Sequence, residues 1–146
     1  MSASQEQQRE GREVSRPLTL TIAGILLALV GICGFIDSYL ILSSLIIWGW
    51  LIVGGIGLFT LISGIGLING ADWAWSAGSS LAIVNFFVGF IELIGAFNYH
   101  YIILGWVGIG QGVGVATIVL SAIALYLLYR GEVKAYYLQY DVYTGW

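Results

Sequence analysis

The stretch "GFIDSYLILSSLIIWGW", residues 34–50, holds one carboxylate in an otherwise uncharged run. The chain writes a similar phrase again as "GFIELIGAFNYHYIILGW", residues 89–106. The two align as Gly-Phe-Ile-[Asp/Glu], a short spacer, then Ile-Ile-[Trp/Leu]-Gly-Trp. Each copy covers the exit of one apolar segment, a loop and the beginning of the next segment. A fainter echo follows in "INGADW" (68–73) and "YRGEVK" (129–134).

Outward from these phrases the chain is almost free of charge. No Asp, Glu, Lys or Arg occurs at 18–36, 38–71, 73–91 or 93–129. Charged residues make up 9% of the 146 and hydrophobic residues 59%, whereas soluble domains carry about a quarter charged. About 20 apolar residues in a helix cross a bilayer core of ~30 Å, and the two longest uncharged runs exceed one crossing, so each contains a loop. The predicted fold is therefore all-α: four transmembrane helices near 17–36, 44–68, 73–96 and 102–129, arranged as two tandem hairpins. A polar segment, 1–16, precedes this 17–130 membrane domain, and an aromatic-rich tail, 131–146, follows it. A membrane barrel would need many alternating segments of about ten residues, which are lacking.

Arg9, Arg12, Arg16, Arg130 and Lys134 all flank the spans near the termini, whereas the loops after Asp37 and around 98–101 carry no Lys or Arg. The excess of basic residues on cytoplasmic loops places both termini in the cytoplasm, in a multi-pass protein of a cell membrane or of a viral or cellular envelope. The first segment lacks a small-residue cleavage pattern and is expected to stay. Tandem copies separated by an even number of crossings point the same way, a parallel repeat that suits a pseudo-twofold bundle. Coincidence remains an alternative, because Gly, Ile and Phe recur in any span.

Glycine sets the packing. Gly24, Ala28 and Gly31 form one stripe on the first span, and Gly57 pairs with Gly64 on the second. In "GWVGIGQGVGVA", Gly105, Gly108 and Gly112 share one face, while Gly110 and Gly114 share the opposite face with Thr117 and Ser121. Small residues at such spacing let helices approach closely in lipid. A fourth span smooth on both sides implies a neighbour on each, one of which belongs to another subunit or another copy. These glycines do not make a phosphate loop, which requires a strand before the turn.

Polar groups inside the spans are few. Gly78, Ala82, Asn85, Gly89, Glu92 and Ala96 line one face of the third span, so Asn85 and Glu92 should face protein. Three readings stay open for them: a structural clasp, a headgroup contact, or a proton or cation relay joined by Gln111 of the fourth span. Asp37 is expected to be an ordinary helix-end residue reaching water. Cys33, the single cysteine, is expected to pack as a small hydrophobe. His100 stands alone in the loop, no histidine base accompanies the serines, and no metal, cofactor, nucleic-acid or catalytic constellation is expected. Tyr and Trp residues mark two interfacial belts, and the tail's aromatics should lie on the membrane surface or against a partner.

"GLINGADWAW" (66–75) and "LYLLYRGEVKAYY" (125–137) carry a resemblance. With Gly-x-x-Trp-Ala-Trp after the second span and Arg-x-Glu-Val-Lys-Ala-Tyr after the fourth, the chain resembles small, mostly uncharacterised prokaryotic four-span membrane proteins. Gly131 stands where the pattern has proline. The resemblance covers about a quarter of the chain and implies a fold and a location, not an activity. The leading expectation is a non-enzymatic structural or accessory subunit that packs by its glycine faces against other membrane subunits, copies of itself and lipid. A small proton- or cation-linked transporter or channel using Glu92 and Asn85 is the alternative.

Overall fold

The computed structural model describes residues 16–42, 47–94 and 107–144. Among these the chain is helical, with α1 (Leu18–Leu42), α2 (Ile47–Asn69), α3 (Asp72–Leu93), α4 (Val107–Leu128) and α5 (Gly131–Thr144). Four of the five, α1 to α4, are long and apolar enough to cross a membrane.

The helix ends have local causes. Pro17 opens α1, its fixed φ being compatible with a helix start and its carbonyl accepting from the Leu20 N–H at 3.0 Å. At the far end of α2, Gly70 takes a φ of +76°. There the Gly70 N–H donates to the Leu67 carbonyl (3.1 Å) and the Ala71 N–H to the Gly66 carbonyl (2.9 Å), the two bonds of a Schellman ending. Asp72 then opens α3, its carboxylate favourable at the positive end of the helix dipole.

α1 packs on α2 and α4, and α3 packs on α4 and α2, so α1 and α3 stand at opposite corners of a four-helix bundle. Successive helices run antiparallel, and the glycines set their approach. A Cβ on Gly24 would lie 2.7 Å from the Gly64 carbonyl oxygen, and one on Gly31 2.8 Å from that of Gly57. On the other side of the bundle, a Cβ on Gly89 would lie 2.9 Å from the Gly114 carbonyl oxygen.

The outer surface differs from that of a water-soluble bundle. Ile22, Ile25, Leu29 and Ile32 face outward from α1, as do Leu58, Phe59, Ile62 and Ile65 from α2. Thr60, Ser63, Asn85, Thr117 and Ser121 face inward. Lipid solvates apolar side chains, so only polar groups must find shelter. This is the arrangement a multi-pass membrane protein requires.

Several helix limits differ from the sequence expectation. α1 continues to Leu42 instead of closing at 36, because no glycine turn, proline or charge cluster stops a uniformly apolar run. The segments joining α1 to α2 and α3 to α4 lie partly outside the described residues, as do Ala96, the 98–101 loop with His100, and residues 1–15. The tail forms α5, with Val133, Tyr136 and Tyr137 buried in one apolar cluster with Leu20, Leu67 and Leu128. The described part of this aromatic segment therefore rests on the chain's own bundle.

Candidate ion-binding site inside the bundle

The extension of α1 changes the position of Asp37. It lies more than a turn before the helix end, 1% exposed, and was misread from sequence as a residue reaching water. Glu92, near the end of α3, is 2% exposed. Although α1 and α3 occupy opposite corners, the two carboxyl groups come close enough to interact. Both occupy the fourth place of the repeated Gly-Phe-Ile phrase. Gly114 of α4 leaves room for the Glu92 side chain: a Cβ there would lie 3.1 Å from the Glu92 Cβ.

No donor reaches Glu92 Oε1, Glu92 Oε2 or Asp37 Oδ1 among the described residues. Arg16, Arg130 and Lys134 belong to the opposite end of the bundle, where Arg130 and Glu132 make an exposed ion pair at 3.6 Å. Cys33, one turn before Asp37, lies beside Thr117 of α4. Thr117 is 2% exposed, and its Oγ1 makes no well-formed hydrogen bond. It follows Gly114 by one turn, so it sits directly beneath the carboxyl pair. No three His, Cys, Asp or Glu side chains among the described residues converge as a metal ion's ligands would.

Deeper in the bundle, Asn85 Nδ2 donates to Thr60 Oγ1 at 2.8 Å and to the Leu81 carbonyl at 2.7 Å. The Thr60 hydroxyl donates in turn to the Ile56 carbonyl at 2.7 Å. Ser79 and Ser121 add buried hydroxyls without hydrogen-bond partners among the described residues. The polar interior ends where Leu27 and Leu67 meet over Gly78, at which a Cβ would be 3.1 Å from the Cδ1 of each.

Beyond that level the end bearing the termini is closed by apolar side chains and tied by three bonds to carbonyls near helix ends. Arg16 Nη2 donates to the Leu67 carbonyl (2.6 Å), Trp75 Nε1 to the Leu128 carbonyl (3.1 Å) and Tyr137 Oη to the Ala71 carbonyl (3.4 Å). The Leu128 carbonyl is one that helix geometry leaves open, whereas the Leu67 and Ala71 carbonyls also accept from the Gly70 and Ala74 N–H groups.

The structure thus groups the expected polar residues differently. Asn85 and Glu92 share the buried face of α3 with Gly78, Ala82 and Gly89, yet Asn85 is bonded to Thr60 and Glu92 faces Asp37. Gln111 is exposed on α4 and stands apart from both. Gly24, Gly31, Gly57 and Gly64 meet within the chain, and Ala28 lies against Gly64. Gly114 is buried, whereas Gly112 is exposed and nothing lies within 4 Å of a Cβ built there. Gly108 and Gly110 fall in the first turn of α4, and Gly105 lies outside the described residues. The missed functional candidate is Asp37, and the matching places of Asp37 and Glu92 in the repeat were the signal for it. No known protein family, curated protein or solved structure matches the chain.

Proposed function

We propose that the chain is a small non-enzymatic protein of the cell membrane, proton- or cation-linked, whose working element is the Asp37–Glu92 pair. The observation that carries this reading is two buried, mutually interacting carboxyl groups with no cation facing them among the described residues. A carboxylate at the bilayer centre costs about 2.5–3.5 kcal/mol on insertion scales and less near a helix end, but these two are shielded from solvent, and two ionised ones side by side repel. A proton or cation held between them relieves both costs, and such sites mark ion pathways in membrane proteins. The matched positions of the two acids also support a duplicated hairpin, and the flanking basic residues support cytoplasmic termini.

The accessory-subunit reading retains one observation. Most glycine contacts that suggested partners are made inside the chain, but the Gly112 face of α4 is open. Gly112→Leu, substituted into that open space, should leave the isolated protein folded and abolish co-purification of any subunit docked there. The ion-linked reading is tested with purified protein in vesicles containing a pH- or cation-sensitive dye. Glu92→Gln and Asp37→Asn should each reduce flux about tenfold or more, a barrier change of about 1.4 kcal/mol. Unchanged flux in folded variants would overturn the reading.

A further inference from the structure

The pair is placed very unequally between the two ends of the bundle. Glu92 is next to Leu93, the last residue of α3, within a few ångströms of the loop end at about 1.5 Å rise per residue. Toward the terminal end, the remainder of α3 back to Asp72 spans about 30 Å by the same rise. That longer route is crossed by the Leu27–Leu67 contact and then by the fully buried Leu20, Leu128 and Val133. At the level of these packed apolar side chains there is no hydroxyl through which charge can pass; the buried Thr19 hydroxyl and Arg16 Nε belong to the same end.

The chemistry around the pair also distinguishes among ions. A metal cation needs several oxygen ligands arranged around one point, six or more for calcium. Among the described residues the polar groups nearest the pair are the Thr117 hydroxyl, the Cys33 thiol and the buried Ser38, which follows Asp37, and the acids and thiol do not converge as a ligand set. A proton makes a smaller demand. One carboxyl then donates O–H to the other, and no further ligand is needed to remove the repulsion between them. The titratable groups facing the pair are Cys33 from α1 and each acid itself. No Lys, Arg or His of α2 or α4 faces it among the described residues, and His100 lies outside them.

We infer that the ligand of the Asp37–Glu92 pair is a proton, and that in this conformation the pair is loaded from the loop end of the bundle only. This rests on the ion-linked reading above and adds the identity of the ion and its direction of access. Flux then requires the apolar layer beneath α5 to open, since the pair communicates with one side at a time.

A membrane-permeant carbodiimide tests both parts, because it adds across a protonated carboxyl in an apolar site to give an N-acylurea, with no other reactant. The full-length protein is reconstituted, and vesicles are sorted so that the amino terminus faces outward. The pH inside and outside is then set independently, and labelling of Glu92 and Asp37 is read by mass spectrometry of peptides. Labelling should fall about tenfold per pH unit once the loop-end compartment is alkaline enough to remove the proton. It should not respond to pH on the terminal side, and Asp37→Asn with Glu92→Gln should abolish it. Labelling that followed the terminal side, or both sides equally, would overturn one-sided loading while leaving the pair as the ion site. Protection by sodium, potassium or calcium ions at constant pH would overturn the proton assignment. Absence of label at every pH, together with unaltered flux in the two variants, would overturn the ion-linked reading itself.

Discussion

Asn85 illustrates what a buried polar residue contributes in this bundle. Its Nδ2 joins Thr60 of α2 and the carbonyl of Leu81 in its own helix. The second bond satisfies the amide locally, so the first is not all that keeps Asn85 from being stranded. Interhelical bonds of this kind average about 0.6 kcal/mol in membrane proteins. A double-mutant cycle of Asn85→Ala and Thr60→Ala, read by reversible unfolding in bicelles, should give a coupling of about that size. A coupling indistinguishable from zero would mean that the contact adds nothing to the α2–α3 interface. Asp37 and Glu92 differ in kind, since among the described residues no donor reaches three of their oxygens.

At the scale of elements, the α1–α2 hairpin depends on backbone approach. A Cβ on Gly64 would lie 2.6 Å from the Ala28 nitrogen and 2.7 Å from the Gly24 carbonyl oxygen. Neither backbone atom can rotate away, so the helices must separate. Gly64→Ala should therefore cost about 1–3 kcal/mol, the usual penalty of overpacking. Gly55→Ala, where nothing lies within 4 Å of the new Cβ, should be neutral or stabilising by up to about 1 kcal/mol. Equal effects at both positions in the same unfolding assay would show that close approach is not what holds the hairpin. The α2–α3 turn makes a separate demand, because Gly70 has a left-handed φ. Any other L-residue is strained there by about 1–2 kcal/mol.

At the scale of the whole molecule, α5 closes one end of the bundle. Tyr137 stacks near Trp75, with ring centroids 6.1 Å apart, and bonds the Ala71 carbonyl; Val133 and Tyr136 are buried beside it. Tyr137→Ala removes ring packing and a carbonyl partner together, and large aromatic truncations in cores cost about 3–5 kcal/mol. Tyr137→Phe keeps the ring and should cost about 1 kcal/mol. Thermal unfolding in detergent should rank the two variants in that order. If the apolar layer also blocks ion passage, Tyr137→Ala should raise proton leak through the reconstituted protein above that of Tyr137→Phe.

The sequence by itself determined the class of structure, since long apolar blocks have few stable forms in lipid and backbone hydrogen bonding selects helices. It also exposed the stripe from Gly78 to Glu92, because helical periodicity assigns faces without knowledge of any neighbour. It could not locate the end of α1, since a uniformly apolar run carries no stop signal, and that error alone turned Asp37 into a surface residue. Only the tertiary structure decided that Asp37 and Glu92 meet, that Asn85 bonds Thr60, and that Gln111 faces away. The physical reason is that each depends on which helices stand at opposite corners and how far glycine lets them approach, and both are properties of packing between segments rather than of any one segment.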